Sequence, residues 1–87
     1  MAAYALLTKL SPEALTKPES VVELNAHVAK RINAKCPSVK WVSNDSVLGP
    51  YDDLDIFEAP DVKTATQIAL IVCSFGHATT ETWNTTP

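Results

Sequence analysis

The segment from Leu48 to Asp61 places a turn, a strand and a helix start in direct succession. Gly49-Pro50 suits a turn, because glycine allows a positive φ and proline fixes the angle that follows. The run Tyr51–Ala59 has the residue alternation of a strand, and Pro60-Asp61 is typical of a helix start. The segment therefore predicts a hairpin whose second strand leads directly into a helix.

The rest of the chain predicts three more strands and a second long helix. Tyr4–Leu10 is apolar at both parities, as expected for an inner strand covered on both faces. Ser11–Leu15 predicts one helical turn, and a longer helix follows from a cap at Thr16 to about Lys35, before Pro37. The strand formers in 38–48 predict the first hairpin strand, and His77–Asn84 predicts the last strand.

Apolar stripes with helical spacing define the inner faces of the two long helices. Thr16-Lys17-Pro18-Glu19 fits a capping box at the start of the first helix. Its apolar stripe consists of Val21, Leu24, Val28 and Ile32. The inward residues of the second helix are predicted to be Val62, Ala65, Ile68, Ala69, Val72 and Cys73. Gly76 is placed to form its left-handed C-terminal cap.

The order β-α-β-β-α-β predicts a ferredoxin-like α+β fold in one domain, residues 1–87. In that fold a four-stranded antiparallel sheet carries two helices on one face. The other face is left open, and large exposed apolar patches are rare on stable monomers. We therefore expect a homodimer, a dimeric α/β barrel in which two sheets pack face to face. Phe57, with Trp83 or Trp41, is expected to point outward into that interface.

Composition narrows the function classes. A net charge of −3 without a clustered basic patch argues against nucleic-acid binding. Cys36 and Cys73 lack CxxC spacing and a secretory signal, so we expect reduced thiols in a cytoplasmic protein. The longest apolar run, Ile68–Cys73, is too short to span a membrane. With only two glycines, neither GxGxxG nor GxxxxGK can occur, and we expect no cofactor.

Three segments together resemble the GYD domain family, which is named for a Gly-x-Tyr-Asp-like signature. They are Leu48-Gly49-Pro50-Tyr51-Asp52, Glu58-Ala59-Pro60-Asp61 and 76–82. The resemblance covers nearly the whole chain and implies a ferredoxin-like fold of the dimeric α/β-barrel type, with no particular activity. The chain departs from the family pattern at Asp53 and Asp55 and at 44–46, where apolar or aromatic residues are usual. These departures argue against a fully apolar pocket.

The acidic cluster after the turn is the first candidate site. Alternation sends Asp53 and Asp55 to one face of the strand and Asp52 to the other. Two such carboxylates can bind a cation or perform acid-base chemistry, with His77 or Glu81 as a further ligand.

The alternative, which we favour, is a solvated hairpin mouth. In that arrangement Lys9 pairs with Asp52 or Asp53, and such exposed pairs contribute only about 0 to 1 kcal/mol. The motif at Tyr51-Asp52 is likewise explained by turn geometry, without a ligand.

His77 is the second candidate, because imidazole can act as a base or a metal ligand near neutral pH. The alternative is a histidine that only interacts with the dipole at the end of a helix. The catalytic candidates are His77, Asp55 and Tyr51. The ligand-binding candidates are Tyr4, Tyr51, Asp53, Asp55, Phe57 and His77.

The leading hypothesis is a small homodimeric protein that binds a small organic molecule or serves as an accessory domain. One alternative is a cofactor-free monooxygenase or isomerase, by analogy with dimeric-barrel enzymes that work in a cleft between sheet and helices. The other alternative is a divalent-metal-binding protein that uses Asp53, Asp55 and His77. Neither nucleic acid nor a membrane is an expected partner.

Overall fold

The computed structural model describes residues 2–16 and 18–85, without the side chains at 14, 15, 18–22 and 24. Its helices and strands, in chain order, are β1 Ala2–Leu10, α1 Pro12–Leu15, α2 Pro18–Lys35, β2 Lys40–Ser46, β3 Asp53–Ala59, α3 Val62–Ser74 and β4 Ala78–Thr85. The bounds lie within a few residues of the predicted ones. The Glu19 side chain of the capping box and the side chains of the stripe residues Val21 and Leu24 lie outside this description.

The four strands form one antiparallel sheet in the order β2-β3-β1-β4. Leu6 of β1 is opposite Asp55 of β3 on one side and Thr82 of β4 on the other. The element order and the sheet confirm the ferredoxin-like α+β fold. β1 is an inner strand as predicted, and its residues 4–8 are all buried.

The core lies between the sheet and the two long helices. Phe57 is fully buried there, and its ring stacks on that of Tyr4 with 5.6 Å between centroids. The ring of Trp41 meets Phe57 edge-on at 5.5 Å. The helices add the buried side chains Val28, Ile32, Ala65, Ile68 and Val72. Since burying one large apolar side chain contributes about 1.5 to 3 kcal/mol, this cluster holds the helices on the sheet.

The prediction that Phe57 points outward is wrong, and so is the same prediction for Trp41. Both rings pack under the helices, because Phe57 is the register partner of Tyr4 and of Trp41. β3 has a large apolar residue at each parity, Ile56 on one face and Phe57 on the other, so its sequence pattern does not fix which face is covered. Trp83, which is opposite Ala5, does lie on the open face and is 50% exposed.

Local signals at both ends of α3 act as predicted. Asp61 is the N-cap, and its Oδ1 accepts a hydrogen bond of 2.8 Å from the backbone N–H of Thr64. Gly76 has φ +75° just after the helix, and its N–H donates to the carbonyl oxygen of Cys73 at 3.0 Å. These contacts satisfy backbone groups that a helix terminus leaves unpaired.

The buried stripe of α3 is narrower than predicted. Ala65, Ile68 and Val72 are buried, whereas Val62 and Cys73 are exposed. The last two were expected to face inward and do not, because the contact with the sheet covers only the central stripe of the helix.

Candidate functional site

A partly open cleft of about 410 Å³ lies between α2 and the hairpin formed by β2 and β3. It is on the face of the sheet that the helices cover. Its volume falls in the range of about 300 to 1,000 Å³ that is usual for small-molecule sites. The apolar wall of the cleft consists of Leu6, Val28, Ala29, Ile32, Trp41 and Val72.

The opposite rim of the cleft is polar and comes from the two hairpin strands. Alternation in β3 puts Asp53 and Asp55 on the same face as Phe57, and the register sets them beside Ser46 and Asn44 of β2. Asn44 Nδ2 donates a hydrogen bond of 2.8 Å to Asp55 Oδ1. Asp45 also lines the cleft. The pair Asp53 and Asp55, which departs from the family pattern, therefore faces a cavity.

Burial raises the pKa of both aspartates in β3. For Asp55 the loss of solvent is the main cause, opposed by the hydrogen bond from Asn44 and reinforced by the charges of Asp53 and Asp45. For Asp53 the pKa is also raised first by burial and then by the charge of Asp52, and a hydrogen bond with Ser46 opposes the shift. Both carboxylates are thus less stable when ionised than they would be in water. Carboxylates with such shifts occur at sites of proton transfer and cation pairing and also in structural networks.

Replacing Asp55 with asparagine is expected to stabilise the protein at neutral pH by up to about 1 kcal/mol. Because the folded-state pKa of Asp55 is raised, the wild type loses stability as pH rises from about 3.9, the ordinary pKa of Asp, through the raised value. Asparagine keeps the acceptor for Asn44 and lacks the charge. Urea unfolding at pH 7 and pH 3 should show the gain at pH 7 only.

Asp61→Asn is the matched control, with the opposite sign. Hydrogen bonds from Thr64 lower the pKa of Asp61, so its carboxylate stabilises the fold above the ordinary pKa, and this contribution is lost as pH falls through the lowered value. Asp61→Asn should therefore destabilise the protein at pH 7. An Asp55→Asn variant that is also less stable at pH 7 would contradict the burial of that carboxylate.

Tyr51 lies at the other face of the sheet, away from the cleft. It precedes β3, and its hydroxyl donates a hydrogen bond to Glu81 Oε2. Trp83 Nε1 donates to Glu81 Oε1 at 2.7 Å. The bond to Glu81 raises the pKa of Tyr51, and the same bond lowers the pKa of Glu81. Tyr51 is thus part of an open-face cluster, which we define as Tyr51, Glu81 and Trp83.

His77 is buried at the start of β4, where its ring meets that of Phe75 with 6.3 Å between centroids. The next residue, Ala78, is opposite Leu10, whereas Asp55 is opposite Leu6. Four residues of β1, or about 13 Å, therefore separate the two positions along the sheet. Its Nδ1 is buried without a hydrogen-bond partner among the described residues.

The three catalytic candidates therefore do not meet in one site. Asp55 lines the cleft, Tyr51 is at the open face, and His77 is at a distant end of the sheet. Tyr4 and Phe57 pack in the core beside the cleft. Asp53 and Asp55 also lack His77 as a third metal ligand. Within residues 2–16 and 18–85, no group of three or more His, Cys, Asp or Glu is placed to hold a metal ion.

Asp52 joins the turn to β1. Its Oδ2 accepts a hydrogen bond of 2.8 Å from the N–H of Leu10, and its own N–H donates to the carbonyl oxygen of Thr8 at 2.8 Å. Lys9, expected to pair with Asp52 or Asp53, instead donates from Nζ to the carbonyl oxygen of Pro50 at 3.2 Å. These contacts give Asp52 of the Gly-x-Tyr-Asp signature an architectural role at the hairpin mouth.

Sequence reasoning missed the contribution of α2 to the cleft. Asn25, Ala29 and Asn33 all line it, and they are spaced four residues apart. Residues four apart lie on one face of a helix, so this small polar stripe was available as a signal. It lies next to the apolar stripe that includes Val28 and Ile32.

The observed fold and cleft define a ferredoxin-like α+β domain with a ligand-sized cavity between a helix and a hairpin. A sequence model described as the GYD domain matches residues 4–87, so the chain belongs to the GYD domain family. No curated protein and no solved structure matches the sequence. Among the described residues, no helix has the length and apolar character needed to cross a membrane.

Proposed function

We propose that this GYD-domain protein binds a small organic molecule in the cleft between α2 and the β2–β3 hairpin, and that it does so as a homodimer. The observation that carries the proposal is the combination of a ligand-sized volume, an apolar wall and a hydrogen-bonding rim in one cavity. Binding sites for small molecules typically have this composition. The cytoplasmic location stays a prediction, supported by two cysteines without a disulfide.

The cleft reaches from the surface to the core. It is partly open to solvent, so it is a surface cleft and not an internal void. Here Leu6, a core side chain, and Trp41 border a space of about 410 Å³. A molecule with an apolar body fills that space and gains the contacts that the wall now lacks.

The open face of the sheet supports the homodimer. The helices pack on the other face, and the open face carries Trp83 with the half-buried Leu54 and Ile56. A second copy that covers these side chains would remove an exposed indole ring from water. Because the cleft is on the helix-covered side, dimerisation through this face leaves the cleft accessible.

A catalytic role in the same cleft is the second candidate. The observation that favours it is Asp55, a partly buried carboxylate at the rim whose pKa is raised. A base in that position suits proton transfer in an isomerase or a cofactor-free monooxygenase. In that case the molecule bound in the cleft is the substrate.

Ala29→Phe is expected to abolish ligand binding, because Ala29 is an exposed residue of α2 that lines the cleft. A phenyl ring there enters the cavity without replacing a core side chain. We would screen small aromatic and heterocyclic fragments at millimolar concentration by 15N–1H correlation spectra. Wild type should show shifts that cluster at α2, β2 and β3, and Ala29→Phe should lose them.

Ala26→Phe is the matched control, since Ala26 is exposed on the same helix and does not line the cleft. It should bind the same fragments as the wild type. A screen in which no fragment shifts the resonances of the cleft would contradict the proposed function. Equal loss in both variants would show that binding does not depend on the cavity.

A further inference from the structure

We infer that the cleft takes an organic cation, a protonated amine or a similar positively charged group attached to a small apolar body. This inference rests on the proposed function of the cleft and adds the chemical class of its ligand. The carboxylates alone would not define a site. They border a ligand-sized cavity that is apolar on its other side, and this cavity defines the site.

The charge of the cleft is of one sign. Asp53 and Asp55 face it, and Asp45 at its edge adds a third negative charge close enough to affect Asp55. No lysine, arginine or histidine is among the described residues that line it. The field inside a cavity lined by one charge sign is focused by its low-dielectric walls. Such a cleft repels carboxylates and phosphates and attracts cations.

The rim has more hydrogen-bond acceptors than donors. Each ionised carboxylate offers about four lone-pair sites. Asn44 donates to one oxygen of Asp55, and Ser46 hydrogen-bonds Asp53. These donors use only part of the acceptor capacity of the rim, whereas an ammonium group brings three N–H donors and no acceptor. Pairing with a cation would also offset the burial that raises the pKa of both carboxyls.

The wall indicates an organic cation rather than a bare ion. Val28, Ile32 and Leu6 offer nothing that an inorganic ion can bind, and they match a hydrocarbon body. Trp41 is half-buried and also lines the cleft. Among aromatic side chains, the indole ring attracts cations most strongly. The described residues, moreover, hold no group of three His, Cys, Asp or Glu side chains placed to bind a metal ion.

Three probes with one aromatic body and different head groups test the inference: benzylamine, benzyl alcohol and benzoate. Each is titrated into the wild type at pH 7.5 and constant ionic strength, with 15N–1H spectra to locate and quantify binding. Benzylamine should bind in the cleft about tenfold more tightly than benzyl alcohol, the size of effect expected for one charge-assisted contact. Benzoate should bind most weakly.

Asp55→Asn should reduce the affinity for benzylamine about tenfold and leave that for benzyl alcohol unchanged. Glu58→Gln is the matched control, because Glu58 is on the same strand at the opposite parity and its loss changes the net charge equally. Equal binding of amine and alcohol in the cleft would overturn the cation inference and leave the proposed function standing. Equal effects of both variants would also overturn it. Absence of cleft shifts with all three probes would overturn both proposals.

Discussion

Replacing Phe57 with alanine is expected to lower the melting temperature by about 12 °C or more. Phe57 is fully buried and contacts the rings of Tyr4 and Trp41. Truncating a core phenylalanine costs about 3 to 5 kcal/mol, and each kcal/mol corresponds to roughly 4 to 8 °C in a domain of this size. A chain of 87 residues has a total stability of only about 4 to 13 kcal/mol, so this loss is a large fraction of the total.

Circular dichroism melts of Phe57→Ala and of the control variant Leu70→Ala measure the two melting temperatures. Leu70 is an equally apolar residue on α3 that is 64% exposed, and its truncation should change stability by no more than about 0.5 kcal/mol. If both variants melted alike, Phe57 would not be in the core. A Phe57→Ala variant that kept its melting temperature and lost its partner subunit would place Phe57 at the dimer interface.

If the protein is the proposed homodimer, replacing Trp83 with lysine is expected to convert it to a monomer at about 10 µM. Trp83 is the large exposed aromatic side chain of the open face, and tryptophan is among the residues that contribute most to interfaces. A lysine ammonium that the second sheet covers must be desolvated without a partner across the interface. In the free monomer the lysine is beside Glu81, so the fold should survive.

Sedimentation velocity measures this change, and Leu70→Lys is its control. Leu70 is more exposed than Trp83 but lies on α3, on the helix side of the sheet. Leu70→Lys should therefore remain dimeric. A wild type that sediments as a monomer at micromolar concentration would contradict the homodimer, and so would a dimer that is unaffected by Trp83→Lys.

Local chemistry made most of the fold predictable. Asp61 and Gly76 act at the ends of α3 through contacts within a few residues, and the order of elements follows from turns and periodicity. The choice of sheet face is different, because Ile56 and Phe57 are adjacent and both apolar. In the folded sheet Phe57 is opposite Tyr4 of β1, and it is opposite Trp41 of β2, next to the register shift between Trp41 and Ser43. These pairings between strands decide which face Phe57 occupies. Such information is long-range and is absent from the pattern of one strand.

The candidate site was predictable only where it depends on one strand. Alternation alone put Asp53 and Asp55 on a common face, and both line the cleft. The position of His77 depends on the offset between two pairs of strands, and that of Tyr51 on the path of a turn before β3. The cleft itself depends on how far α2 lies from the hairpin, which no local signal specifies.

A crystallographic fragment soak tests the central claim most directly, that the cleft on the helix-covered face binds small organic molecules. Crystals of the wild-type protein would be soaked with the fragments that shift its spectra, and their positions determined. We predict that they lie between α2 and the β2–β3 hairpin, in contact with Trp41 and near Asp55. Fragments found only on the open face, or a cleft filled by side chains of a partner subunit, would contradict the account.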